Sequence, residues 1–125
     1  MSRDLDRDQR FVVTDIGELA QAELTTSPVV RYTVPAKTRT VIPIGGIIVV
    51  NRLNQARELT VWKDDNGTGQ ANVNLIRPPK DIPANDYWTN EYPIFMSTIG
   101  GTISMEAEIA NAFTMTIHGT EYIEI

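Results

Sequence analysis

The stretch whose reading decides the fold is Thr102–Ile117, T-I-S-M-E-A-E-I-A-N-A-F-T-M-T-I. Ile103, Met105, Ala107 and Ile109 alternate with Thr102, Ser104, Glu106 and Glu108. After a break at Ala110-Asn111, Phe113, Met115 and Ile117 alternate with Thr114, Thr116 and His118. A period of two sends one set of side chains to a buried face and the other to water. The spacing predicts two strands joined by a tight turn at Ala110-Asn111 into an antiparallel hairpin, with Asn accepting positive φ.

The same alternation recurs outward from this stretch. Val30, Tyr32 and Val34 share one face of Val29–Val34. Thr38 to Pro43 reads as a short strand, placed at a sheet edge by Pro43. Ile47 to Val50 is apolar on both faces and must be covered on both, so it predicts a subunit seam. In Arg57–Lys63, Leu59 and Val61 point inward while Glu58, Thr60 and Trp62 point out. Asp64–Gly69 is a hairpin tip built on Asn66-Gly67, and Asn72–Arg77 returns with Val73 and Leu75 inward. Pro78, Pro79 and Pro83 predict a long polar loop to Glu91. Tyr92–Ile99 and Glu121–Ile125 are further strands, with Ile123 and Ile125 inward. About eight or nine short strands with turns roughly every ten residues define an all-β chain. The expected fold is a two-sheet antiparallel β-sandwich, jelly-roll-like, over residues 28–125.

Residues 1–27 read as an extended N-terminal arm. Met1–Arg10 carries Arg3, Arg7 and Arg10 against Asp4, Asp6 and Asp8 and buries too little apolar surface to fold alone. Phe11, Val12, Val13 and Ile16 give the arm something to dock with. Asp15 to Leu24 reads two ways. Ile16, Leu19, Ala20, Glu23 and Leu24 fit a short amphipathic helix capped by Thr14 or Asp15, while Gly17 speaks against it.

A chain of 125 residues is expected to form one domain with a sizeable core. Cysteine is absent, which removes disulfides, thiolate metal sites and cysteine nucleophiles together. The start has no apolar segment of a secretory signal, and the longest apolar run, Ile44–Val50, is far short of the roughly 20 residues of a bilayer span. Neither a membrane nor a secretory route is therefore expected. Net charge is −5 and segregated, since every Lys and Arg lies at or before Lys80. Antiparallel folding brings late acids to early bases. The balance lacks the basic stripe of a nucleic-acid binder.

No catalytic, cofactor-binding or metal site is expected. Glu106 and Glu108 sit on one strand face about 6.8 Å apart at strand rise, an order of separation seen in inverting glycosidases. With nothing cleft-like beside them, they read as a solvated face. His118, the one histidine, has no sequence neighbour that makes a metal site or triad. Asp64–Gly69 lacks the spacing of a calcium loop. Exposed aromatics remain: Trp62, Tyr87 and Trp88, which stack on sugar rings or anchor interfaces in other proteins. The interface candidates are thus Phe11, Val12, Val13, Ile16, Ile47, Ile48, Trp62, Tyr87 and Trp88.

Taken together, Met1–Arg10, the stretch V-R-Y-T-V-P-A-K-T-R-T-V-I-P from Val30 to Pro43, and the end M-E-A-E-I-A-N-A-F-T-M-T-I-H-G-T-E-Y from Met105 to Tyr122 resemble bacteriophage virion proteins. The nearest likeness is to small capsid decoration (cementing) proteins. It is one of texture over most of the chain and transfers no functional residue by position. The resemblance implies a jelly-roll-like fold, a homo-oligomer (often a trimer), and a capsid-surface location bracing the major capsid protein or other virion subunits. The alternative expectation is a carbohydrate- or receptor-binding module of a phage tail, suggested by the aromatics. A hydrolase built on Glu106 and Glu108 is the third and least favoured.

Overall fold

The computed structural model describes residues 11–65, 69–97 and 100–124, so the expectations for Met1–Arg10, Asn66-Gly67, Ile99 and Ile125 lie outside the described residues. The strands are β1 (Phe11–Glu23), β2 (Val29–Thr33), β3 (Thr38–Ile42), β4 (Ile47–Asn51), β5 (Arg57–Asp64), β6 (Leu75–Ile82), β7 (Tyr87–Thr89), β8 (Ile94–Met96), β9 (Thr102–Ala107) and β10 (Phe113–Glu124). A 3-10 turn, Asn72–Asn74, precedes β6.

Every pairing among the described residues is antiparallel, and the pairs nest. β1 pairs β10, β2 pairs β9, β3 pairs β8, β4 pairs β7 and β5 pairs β6. The chain is therefore one long hairpin with its tip between β5 and β6, rolled up on itself. Three further ladders close the roll: β10 with β3, β10 with β4, and β5 with β9. The result is two packed sheets, one of six strands and one in the order β2-β9-β5-β6. Nested pairs wound into two sheets make a jelly-roll-like sandwich, as expected.

β9 and β10 carry the alternation read at Thr102–Ile117, but they do not form a hairpin. β9 belongs to the four-stranded sheet and β10 to the six-stranded one. Residues 108–112 cross between the sheets, with Asn111 at φ 63°. Ile103, Met105 and Ala107 then meet Phe113, Met115 and Ile117 across the core, all of them buried. Alternation tells which side chains are buried, but it is blind to whether two neighbouring runs pair edge to edge or pack face to face.

The helix considered for Asp15–Leu24 does not form; β1 runs through it. Register shifts between Val13 and Asp15 and between Glu18 and Ala20 mark two bulges. Each bulge adds a residue and reverses the parity of the positions after it, so a period-two strand takes on helix-like spacing. Gly17, at φ 121°, supplies the backbone freedom the irregular strand needs.

Three other expectations are corrected. β3 is an interior strand between β10 and β8, with Pro43 just beyond its end. The loop expected from Pro78 is instead the second half of β6, an edge strand. There Leu59 and Val61 face Lys80 and Arg77, leaving Pro78-Pro79 as the bulge, and an edge tolerates their missing donors. Tyr87–Thr89 forms β7 on β4.

Along β10, β1 occupies one edge, while β4 and then β3 share the other. The divergence of β3 from β4 falls at Gly46 and Gly119, where His118 N donates to Gly46 O at 2.7 Å. A Cβ on Gly119 would lie 2.6 Å from Val41 O. Only glycine lets the backbones approach so closely.

Candidate functional site

Strand parity sorts the expected interface residues at once. On β4, Ile47 and Val49 are fully buried between the sheets while Ile48 is half-buried and Val50 exposed. Ile47 is thus core and not seam; only the inner face of β4 is covered, by the other sheet, and its outer face at Ile48 and Val50 stays partly open. Trp62 does lie on the outer face of its sheet, as its parity required, but it is only 8% exposed. Its cross-strand neighbour Ser104 accepts from Gln70 Nε2 at 2.9 Å, because the β5–β6 loop folds back over this face. Gly69 N donating to Asp64 Oδ2 and Asn74 Nδ2 donating to Gly69 O hold that loop. Trp62 is therefore removed from the exposed aromatics.

The outer face of the larger sheet keeps its apolar groups in the open. Ile16, Thr120, Val41 and Phe95 succeed one another in register across β1, β10, β3 and β8. Ile16 is 72% and Phe95 64% exposed. The next row is Val13, Tyr122 and Arg39, with Val13 also exposed. A groove of about 480 Å³ lies between Arg39, Val41, Phe95, Ser97 and Tyr122. Of the residues expected to dock, Val13 and Ile16 fall on this face, and the side chains of Phe11 and Val12 lie outside the described residues. Phe95 and Val41 were missed. The alternation around them was legible, but their side of the sheet depends on a register that sequence does not supply.

A second concavity, of about 470 Å³, opens where edge strand β6 faces β7 and the β7–β8 loop. Arg77 lies opposite core residue Val61, so its side chain enters between the sheets. Trp88, opposite Val49, enters from the other sheet, and the guanidinium carbon sits 5.3 Å from the ring centroid, within cation–π range. Arg77 Nη2 donates to the carbonyls of Lys80 and Asp81, while its Nε–H finds no acceptor among the described residues. Burial pushes the guanidinium pKa below its ordinary value, with the Asp81 carboxylate pulling it back up. Asn90 fixes the facing loop: its Oδ1 accepts from Ile47 N, and its Nδ2 donates to the carbonyls of Pro43 and Tyr92. Tyr87 is exposed, as expected, and Trp88 half-buried.

Glu106 is half-buried on the outer face of the smaller sheet. The Glu108 carboxylate accepts from Glu58 N at 2.9 Å and lies 3.9 Å from Arg57. That last contact is one late acid meeting an early base. Exposed His118 lies across from Glu18. Among the described residues no group of three His, Asp or Glu is placed to hold a metal ion, and no helix is long and apolar enough to cross a membrane. No protein-family model, curated protein or solved structure matches the chain at a significant level.

Proposed function

We propose that this chain is a structural assembly protein, in the form of a phage capsid decoration subunit, working as a homo-oligomer and most simply a trimer. The observation that carries the reading is the apolar patch on the outer face of the larger sheet, where exposed Phe95 stands beside half-buried Val41 and exposed Ile16 lies across Thr120 from them. Contiguous exposed apolar surface marks interaction sites, and covering a side chain the size of Phe or Ile is worth about 1.5–3 kcal/mol.

The occupant proposed for this face is a second copy of the chain. Docking by strand addition along β1 is a poor fit, because both bulges and the exposed Glu18 lie on that strand, and such features protect an open edge from pairing. Contact through the sheet face avoids that obstacle. It also moves the seam from Ile47 and Trp62, which the fold buries, to Val13, Ile16 and Phe95.

Sedimentation velocity across a hundredfold concentration range tests the oligomer, and immunogold microscopy of particles from the source tests the location. The expected results are a trimer, a folded monomer for the Ile16→Asp, Phe95→Asp double variant, and label on capsid shells. A wild-type monomer at the highest concentration, or particles without label, would overturn the proposal.

A further inference from the structure

We propose that the cleft between β6 and the β7–β8 loop binds a carboxylate-bearing saccharide. Its first support is Arg77, a cation 8% exposed that lines the cleft and whose Nε–H has no acceptor among the described residues. Buried donors are normally paired, and among the described residues Arg77 forms no ion pair. A carboxylate meeting a guanidinium makes charge-assisted bonds, roughly twice as strong as neutral ones.

The second support is the shape and lining. A volume of about 470 Å³ lies within the range of small-molecule sites. Lys63, Arg77 and Lys80 line the cleft with one lining acid, Glu91. Lys63 is paired with Asp65 at 2.9 Å and Asp81 acts on Arg77 from outside the lining, so Arg77 and Lys80 are the cations the cleft offers on a chain of net charge −5. Tyr92, 78% exposed, and Trp88 supply aromatic surface for the apolar face of a pyranose. Asn90 has its side chain committed to three backbone groups, so it holds the loop in shape whether or not the cleft is filled.

An acidic peptide fits less well. Extended peptides gain affinity by adding a strand to a sheet edge, and the edge bordering this cleft carries Pro78-Pro79, which have no N–H to offer. A ring-shaped anion needs no such ladder.

The test is an NMR titration of the full chain, reading the two tryptophan indole resonances. The probes are a digalacturonate, a neutral galactose disaccharide and triglutamate. The expected result is saturable movement of the Trp88 indole with digalacturonate, no movement of Trp62 under its loop, and little response to the other two. Lys80→Ala and Tyr92→Ala, both at exposed positions, should each weaken binding several-fold. Arg77→Leu should weaken it at least about tenfold, the scale of one charged hydrogen bond. The two surface variants keep the test informative if Arg77→Leu does not fold. An unmoved Trp88 would overturn the proposal, as would equal binding of the neutral sugar or of triglutamate. None of these outcomes bears on the oligomer, so this cleft and the docking face fail separately.

Discussion

Replacing Gly119 with alanine probes the point where β10 slips past the divergence of β3 and β4. Gly119 is not among the positive-φ glycines, so the substitution is a matter of space alone. The added Cβ would stand 2.6 Å from Val41 O and 3.1 Å from Leu19 Cδ1, well inside the roughly 3.5 Å at which non-bonded atoms attract. Leu19 can rotate aside, but the Val41 carbonyl belongs to the backbone of an interior strand. Overpacking of this kind costs about 1–3 kcal/mol. Restricting the unfolded chain returns about 0.4–1 kcal/mol, leaving a net loss of about 1.3 kcal/mol at the midpoints of the two ranges. At the per-residue unfolding entropy of globular proteins, each kcal/mol lowers the Tm of a chain this long by about 4 °C. Thermal unfolding should therefore shift down by about 5 °C, and the urea midpoint should fall with an unchanged slope. His118→Ala, at the exposed neighbouring position, should stay within about 0.5 kcal/mol of the parent. If Gly119→Ala melted at or above the parent temperature, the close passage of β10 beneath β3 would be wrong, and with it the splitting of the larger sheet.

Asn51 is fully buried; its Nδ2 donates to the carbonyls of Gln55, Ile82 and Pro83, and its Oδ1 accepts from Leu53 N. Asn51→Ala should cost at least about 2 kcal/mol in urea denaturation, and a near-neutral effect would show that these bonds are replaced by water. The Tyr32 hydroxyl donates to Glu121 Oε2 at 2.5 Å and lies 2.6 Å from Thr40 Oγ1. Tyr32→Phe should lower stability by about 1–3 kcal/mol, read from the same assay. Removing residues 1–23 takes away β1 and bares one whole edge of β10, so light scattering should rise and cooperative unfolding should vanish. A soluble truncated protein with an unaltered melting profile would mean that β1 is an appendage of the sandwich and not part of it.

The all-β class and most of the core were legible in the residues because burial in a sheet repeats every second position, and that is a local property. Leu59, Val61, Ile103, Met105, Phe113, Met115 and Ile117 were all assigned inward from alternation alone, and all are buried. The turn at Asn111 was legible too, because its positive φ is a local demand. The readings that failed did so where geometry depends on a distant partner. The bulges in β1 made a strand look like a helix. Pro78-Pro79 sit in a strand because β6 happens to be an edge. Trp62 is hidden by a loop that returns to its face, and Arg77 meets Trp88 only because β6 and β7 border the same opening. The sequence by itself determined which side chains must leave water, through the local period of its apolar residues. Only the tertiary structure decided which strands pair, which faces stay open and which cations lose their solvent, since the nested ladders join segments far apart in the chain, and no local pattern records the register between them.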